Sequence, residues 1–147
     1  MDAKSSNYEE VELATPSDAP KTVLVKADVR NTVETITLTW NDWVHSPIYY
    51  TRCRIILYRS GDWVFSCNAD DRSAHSDWDI TLTLRIVTSI GGAEVAVLGD
   101  TPTADVDHGD NADIGGSGYH SEIWRGWQHF QDQTWSVNVN SHINRDN

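Results

Sequence analysis

The chain has no long hydrophobic run: nothing in its 147 residues approaches the roughly 18 consecutive apolar residues of a membrane helix. Basic side chains are scarce, 11 Lys and Arg against 22 Asp and Glu, giving a net charge of -11 and a pI near 4.7. Nucleic-acid binding depends on clustered Lys and Arg that displace counterions, so nucleic acid and anionic membrane are poor partners. A basic protein, a metal ion or a neutral small molecule remains open, and acidity also keeps a chain soluble. Familiar reaction signatures are missing too: there is no Gly-rich phosphate loop, CxxC, HExxH or GxSxG. Phosphoryl transfer, structural zinc and standard acyl transfer fall away, and no pattern asks for a cofactor. The opening MDAKSSNYEEVELATPSDAPK is polar and lacks the apolar stretch of a signal peptide. The expected location is therefore cytoplasmic as given, or extracellular if a leader was replaced by the initiator Met.

What the sequence does have is tryptophan, seven in one small domain. Trp suits both a β core and a site that holds a flat apolar ligand or a sugar ring. It also has hydrophobic alternation with a period of two from Thr22 to Ile143, the mark of half-buried strands. Residues 1–21 lack that period and read as a flexible acidic tail; residues 22–147 read as a single β domain with a long loop at 100–117. Strands are expected at Thr22–Arg30, Glu34–Trp43, Ile48–Arg59, Asp62–Asn68, Trp78–Ile90, Glu94–Leu98, Tyr119–His129 and Thr134–Ile143. Arg59-Ser60-Gly61 makes a three-residue hairpin loop with Gly61 left-handed, which sets Leu57 opposite Trp63, Ile55 opposite Phe65 and Cys53 opposite Cys67. The Gly91-Gly92 turn sets Ile86 opposite Val97. About eight antiparallel strands in sequence-adjacent hairpins suit an all-β, lipocalin-like up-and-down barrel with room for one small ligand. A two-sheet sandwich of the same strands is the alternative.

Three constellations could carry chemistry. Cys53 and Cys67, if directly opposed, fall within reach of a disulfide, the alternative being two buried thiols that act as small hydrophobes. The 100–117 loop holds Asp105, Asp107, Asp110 and Asp113 with His108 and Asn111, oxygen-rich enough for calcium but without the Gly and Glu placement of a calcium loop. The third is a set of aromatic and polar groups with inward parity: Trp40, Asp42, Tyr49, Trp63, Trp78, His120, Glu122, Trp124 and Trp127. These are expected to line a cavity at one barrel end, with the Trp and Tyr residues binding the ligand. Asp42, His120 or Glu122 would be the acid–base group if the cavity is catalytic.

From Thr39 to Asp100 the chain resembles a poorly characterised microbial family of small Trp-containing β domains. The shared pattern is Trp40 after a Thr-rich strand, then Cys53, Leu57 with Gly61, Phe65, and Val97-Leu98-Gly99. The resemblance implies a compact β fold, and a secreted member would favour a bridged cysteine pair. The leading expectation is a barrel that binds an apolar or aromatic small molecule, with cofactor-free cyclase or isomerase chemistry as one use of the pocket. A carbohydrate-binding module with surface Trp and an acidic domain that inhibits a basic protein are the alternatives.

Overall fold

The structure is a computed structural model that describes residues 20–88, 94–130 and 135–145. The tail expected at 1–21 and the Gly91-Gly92 turn therefore lie almost wholly outside the described residues. The elements in chain order are β1 (Lys21–Lys26), β2 (Asp28–Asn31), β3 (Thr35–Thr39), β4 (Trp43–His45), β5 (Ile48–Tyr58), β6 (Asp62–Asp71), β7 (Trp78–Thr88), β8 (Glu94–Asp100), β9 (Ala104–Val106), β10 (Asn111–Tyr119), α1 (Ser121–Arg125), α2 (Trp127–Phe130) and β11 (Trp135–Arg145).

The strands form two antiparallel sheets. One runs β1-β11-β7-β8, with β9 also on β7; the other runs β10-β6-β5-β3-β2, with β4 also on β5. Among the described residues no ladder joins the sheets, so the molecule is the two-sheet alternative and the closed barrel is not formed. The first expected strand shows why. Thr22–Arg30 divides at buried Ala27, whose N–H still bonds Trp135 O at 3.0 Å, and β2 then pairs with β3 in the other sheet. Period two is the same on either side of such a corner, so alternation alone cannot separate a sandwich from a barrel.

The long β7–β11 ladder is regular from Trp135 opposite Thr88 to Arg145 opposite Trp78. Ile80, Leu82, Leu84 and Ile86 are buried beside Val137, Val139 and Ile143, while Thr81, Thr83, Ser136, Asn138 and Asn140 are only half-buried. The facing sheet contributes Ile36, Leu38, Ile55, Leu57, Trp63 and Phe65 to the same core. One polar bridge crosses it: Ser141 Oγ lies 2.8 Å from His45 Nδ1 and 2.6 Å from Tyr50 Oη, all three buried. A buried polar group is costly without a partner, and this trio supplies its own while tying β4 and β5 to β11. Burial pushes the Tyr50 phenol well above its ordinary range.

The β5–β6 hairpin follows the expected register, with Leu57 opposite Trp63, Ile55 opposite Phe65, and Gly61 at φ 101°. Three other expectations are corrected. Ile86 pairs with Ala96 rather than Val97, because the β7–β8 ladder shifts register between Leu84 and Arg85 and again between Ile86 and Val87. The stretch 100–117 is not a loop: it carries β9 and most of β10, whose backbone pairs with β6 from Asn111 to Tyr119. Gly115, Gly116 and Gly118 look like loop residues, yet Trp63 packs so closely on Gly118 that a side chain there would crowd it, and Thr101 lies in contact range of Gly116. The strand expected at Tyr119–His129 is instead α1 and α2, started by the His120 ring, which accepts the Glu122 N–H at 3.4 Å.

Candidate functional site

Two places in this fold have a long strand whose outer edge is shared by two short ones. On β5, β3 pairs from Tyr58 to Arg54 and β4 pairs from Tyr50 to Ile48. Thr51, Arg52 and Cys53 fall between them, opposite the connecting residues Trp40, Asn41 and Asp42. On the other edge of β5 the ladder to β6 slips at the same point. Thr51 pairs with Asn68 and Arg54 with Ser66, so Arg52 and Cys53 together oppose Cys67. This is a β-bulge, and Arg52 sits in it at φ 54°, left-handed for a residue with a side chain. Bulges re-aim side chains next to sites, and non-glycine residues held left-handed gather at ligand clamps.

The result is an open cleft of about 590 Å³, lined by Thr39, Trp40, Asp42, Arg52, Cys53, Arg54, Ser66, Cys67, Asn68 and Asp113. Its lining includes four exposed charged residues, two of each sign: Arg52, Arg54, Asp42 and Asp113. Its floor is apolar, with Trp40, Cys53 and Cys67 each at most 6% exposed. Trp40 stacks on Phe65 with ring centroids 6.2 Å apart, which anchors that floor to the core. Asn68 Nδ2 donates to Asp113 Oδ1 and to Asn111 Oδ1, both at 3.1 Å, and so orients a carboxylate of β10 at the cleft. Both cysteines are free thiols. A hydrogen bond with Cys53, together with burial, pushes the Cys67 thiol far above the ordinary range. A second hollow of about 400 Å³ on the outer face shares Thr39 and Arg54 with the cleft and continues to Asp28 and Arg30.

The nine residues expected at one barrel end are dispersed. Trp40 and Asp42 line the cleft, Trp40 buried and Asp42 exposed because β3 ends at Thr39. Trp63 and Trp78 are core, 2% and 1% exposed. The bulge reverses strand parity, so Tyr50 rather than Tyr49 faces inward; Tyr49 lies half-buried beneath the Arg72 guanidinium, 5.7 Å from its ring centroid. His120 caps α1, and Glu122 is exposed on that helix. Trp127 is buried and donates to Val33 O at 3.0 Å, whereas Trp124 is 46% exposed. Trp124 and Trp127 share a smaller hollow with Arg59, Arg125 and Gln128. Among the described residues no group of three or more His, Cys, Asp or Glu could hold a metal ion, the oxygen-rich 100–117 stretch included.

Sequence reading missed Arg52, Arg54, Asn68 and Asp113 as partners of Trp40 and Asp42. A signal was present: apolar residues fall on even numbers at Ile48 and Tyr50 and on odd numbers at Cys53, Ile55 and Leu57, a slip that one inserted residue explains.

No family model matches the chain, and no curated protein matches it. Among solved structures it is similar to the Avr2 effector protein from the fungal plant pathogen Fusarium oxysporum. The TM-score is 0.36 at 13% identity, over 88% of this chain and 90% of that one.

Proposed function

We propose that the chain is a binding module for a small, polar, charge-bearing molecule held in the cleft at the β5 bulge. The observation that carries this reading is the bulge, where a left-handed Arg52 faces a gap in the pairing of β5 instead of a neighbouring strand. The cleft falls within the ordinary volume range of ligand sites. Two guanidinium groups and two carboxylates around an apolar floor suit a zwitterion, its anionic end toward Arg52 and Arg54 and its cationic or hydroxyl end toward Asp42 and Asp113. Arg forks recognise carboxylates with two parallel hydrogen bonds. The apolar-substrate version, with cyclase or isomerase chemistry, lacks support, because Trp63, Trp78, Trp135 and Phe65 fill the interior it would need.

Calorimetric titration with amino-acid-sized zwitterions, anions, neutral sugars and apolar aromatics tests the reading. Zwitterions should bind best, and Asp113→Asn and Arg54→Ala should each weaken them at least tenfold without a loss of fold. Equal response to apolar aromatics would overturn it.

A carbohydrate reading has one observation of its own. Trp124 and Tyr119, 46% and 58% exposed, both rest against Gly61, where a Cβ would meet their rings at 2.9 and 2.7 Å. Sugars that bind and are lost with Trp124→Ala would favour this corner over the cleft.

A further inference from the structure

The floor of the cleft contains a pair of groups that ligand binding does not require. Cys53 and Cys67 come from adjacent strands and oppose one another across the bulge. Each is almost wholly buried, 3% and 4% exposed, yet both line the open cleft. A reagent that enters the cleft therefore reaches both, and none of the other lining residues is a histidine that could act as local base.

We infer that Cys53 and Cys67 are a redox-modifiable pair that closes into a cross-strand disulfide by exchange with a low-molecular-weight disulfide admitted through the cleft. One cysteine loses its proton to solvent and its thiolate attacks a sulfur of the reagent RSSR. The S–S bond breaks, and RS⁻ leaves and is protonated. The second cysteine, deprotonated in turn, attacks the mixed disulfide and expels the second RS⁻. Two protein thiols are oxidised to one bridge, and one RSSR is reduced to two RSH. The thiolate is the attacking species, and Cys67 is held protonated by its burial and its neighbour, so closure is slow near neutrality and accelerates as pH rises. The bridge fixes the bulge from below and, through it, Arg52 and Arg54 on the cleft wall. That last consequence rests on the proposed binding role; the bridge itself does not.

The test is intact mass and non-reducing peptide mapping of the native full chain in glutathione buffers of increasing oxidation, with amide hydrogen exchange on the products. The expected result is loss of two hydrogens, one linked peptide pair containing Cys53 and Cys67, and full reversal by dithiothreitol. Exchange at residues 52–54 should slow at least tenfold in the bridged form. Two free thiols after alkylation in denaturant, under buffers that bridge a control dithiol, would overturn the proposal. So would a stable mixed disulfide with a single glutathione, which would show that the two sulfurs do not meet. Cys53→Ser should remove the linked pair without changing the reduced protein's spectrum. Since mass reports the bridge and calorimetry the ligand, either idea can fail alone.

Discussion

The two shared edges in this molecule are built alike and finished differently. On β7, β8 pairs from Thr83 to Val87 and β9 from Trp78 to Ile80, leaving a break at Thr81 and Leu82. That break is filled. Thr101 N donates to Leu82 O at 2.8 Å, and its hydroxyl accepts from Leu82 N at 3.0 Å. Thr81 and Thr103 join hydroxyls at 3.0 Å, and Thr83 donates to Asp100 at 2.6 Å. Thr101 ends 3% exposed. On β5 the matching break is an open cleft, with a strained Arg52 opposite it and charged groups of both signs on its rim. A fold that satisfies one break completely has the means to satisfy the other. The open one is where the proposed site lies.

Bridging the β5–β6 bulge beside the open break should have the largest effect. A disulfide around a loop of roughly 15 residues adds about 3 kcal/mol by restricting the unfolded chain, so urea unfolding of the Cys53–Cys67 bridged form should show a midpoint raised accordingly over the reduced form. A bridged form no more stable than the reduced one would mean that the bulge must distort to accept it.

Unplugging the filled break comes next. Thr101→Val keeps the volume but leaves the Leu82 N–H without its acceptor, at a cost of about 1–3 kcal/mol. Chemical denaturation measures it, and an unchanged midpoint would show that the plug is ornamental and the contrast between the two breaks false.

Relieving the strain in the open break should work in the other direction. Arg52→Gly accepts the left-handed conformation freely and should leave stability unchanged or raise it by up to ~1 kcal/mol, while ligand affinity falls because a guanidinium is gone. A clear loss of stability would make Arg52 a structural residue and remove the main support for a site.

The smallest effect lies at the end of the β9–β10 connection. Asp77 accepts from the His108 N–H at 3.0 Å and faces the ring nitrogen at 3.2 Å, and these bonds hold its carboxyl below the ordinary value. A lowered folded pKa adds stability above the unfolded value near 3.9, and that stability is lost as pH falls through the folded value. The Asp77→Asn variant should therefore melt slightly lower than the parent near neutrality, and the difference should begin to shrink below about pH 4 and vanish once pH is below the folded value.

Much of the fold was legible because β7, β11 and the β5–β6 hairpin follow rules that operate within a few residues. Ile80 to Ile86 and Trp135 to Val139 alternate without interruption, and a left-handed Gly61 fixes the register of Leu57 and Ile55. Sandwich against barrel was not legible, since the corner at Ala27 depends on which strand lies beside it in space. The 100–117 stretch misled because its glycines read as flexibility, whereas Gly116 and Gly118 are where β10 lets Thr101 and Trp63 come close. At the site, Trp40 and Asp42 were found from the β3 alternation. Arg52, Arg54, Asn68 and Asp113 were not, because a bulge, a register slip and a third strand bring them there. Five of the seven Trp residues, 40, 63, 78, 127 and 135, are buried, the ordinary use that a small β core makes of them.

The most direct test of the open break as a site is an amide-resolved NMR titration of the full chain with an amino-acid-sized zwitterion. The predicted result is saturable shifts confined to residues 39–42, 52–54, 66–68 and 113, abolished in the Arg52→Gly, Asp113→Asn double variant. Shifts centred instead on Gly61, Tyr119 and Trp124, or none at millimolar ligand, would contradict the account.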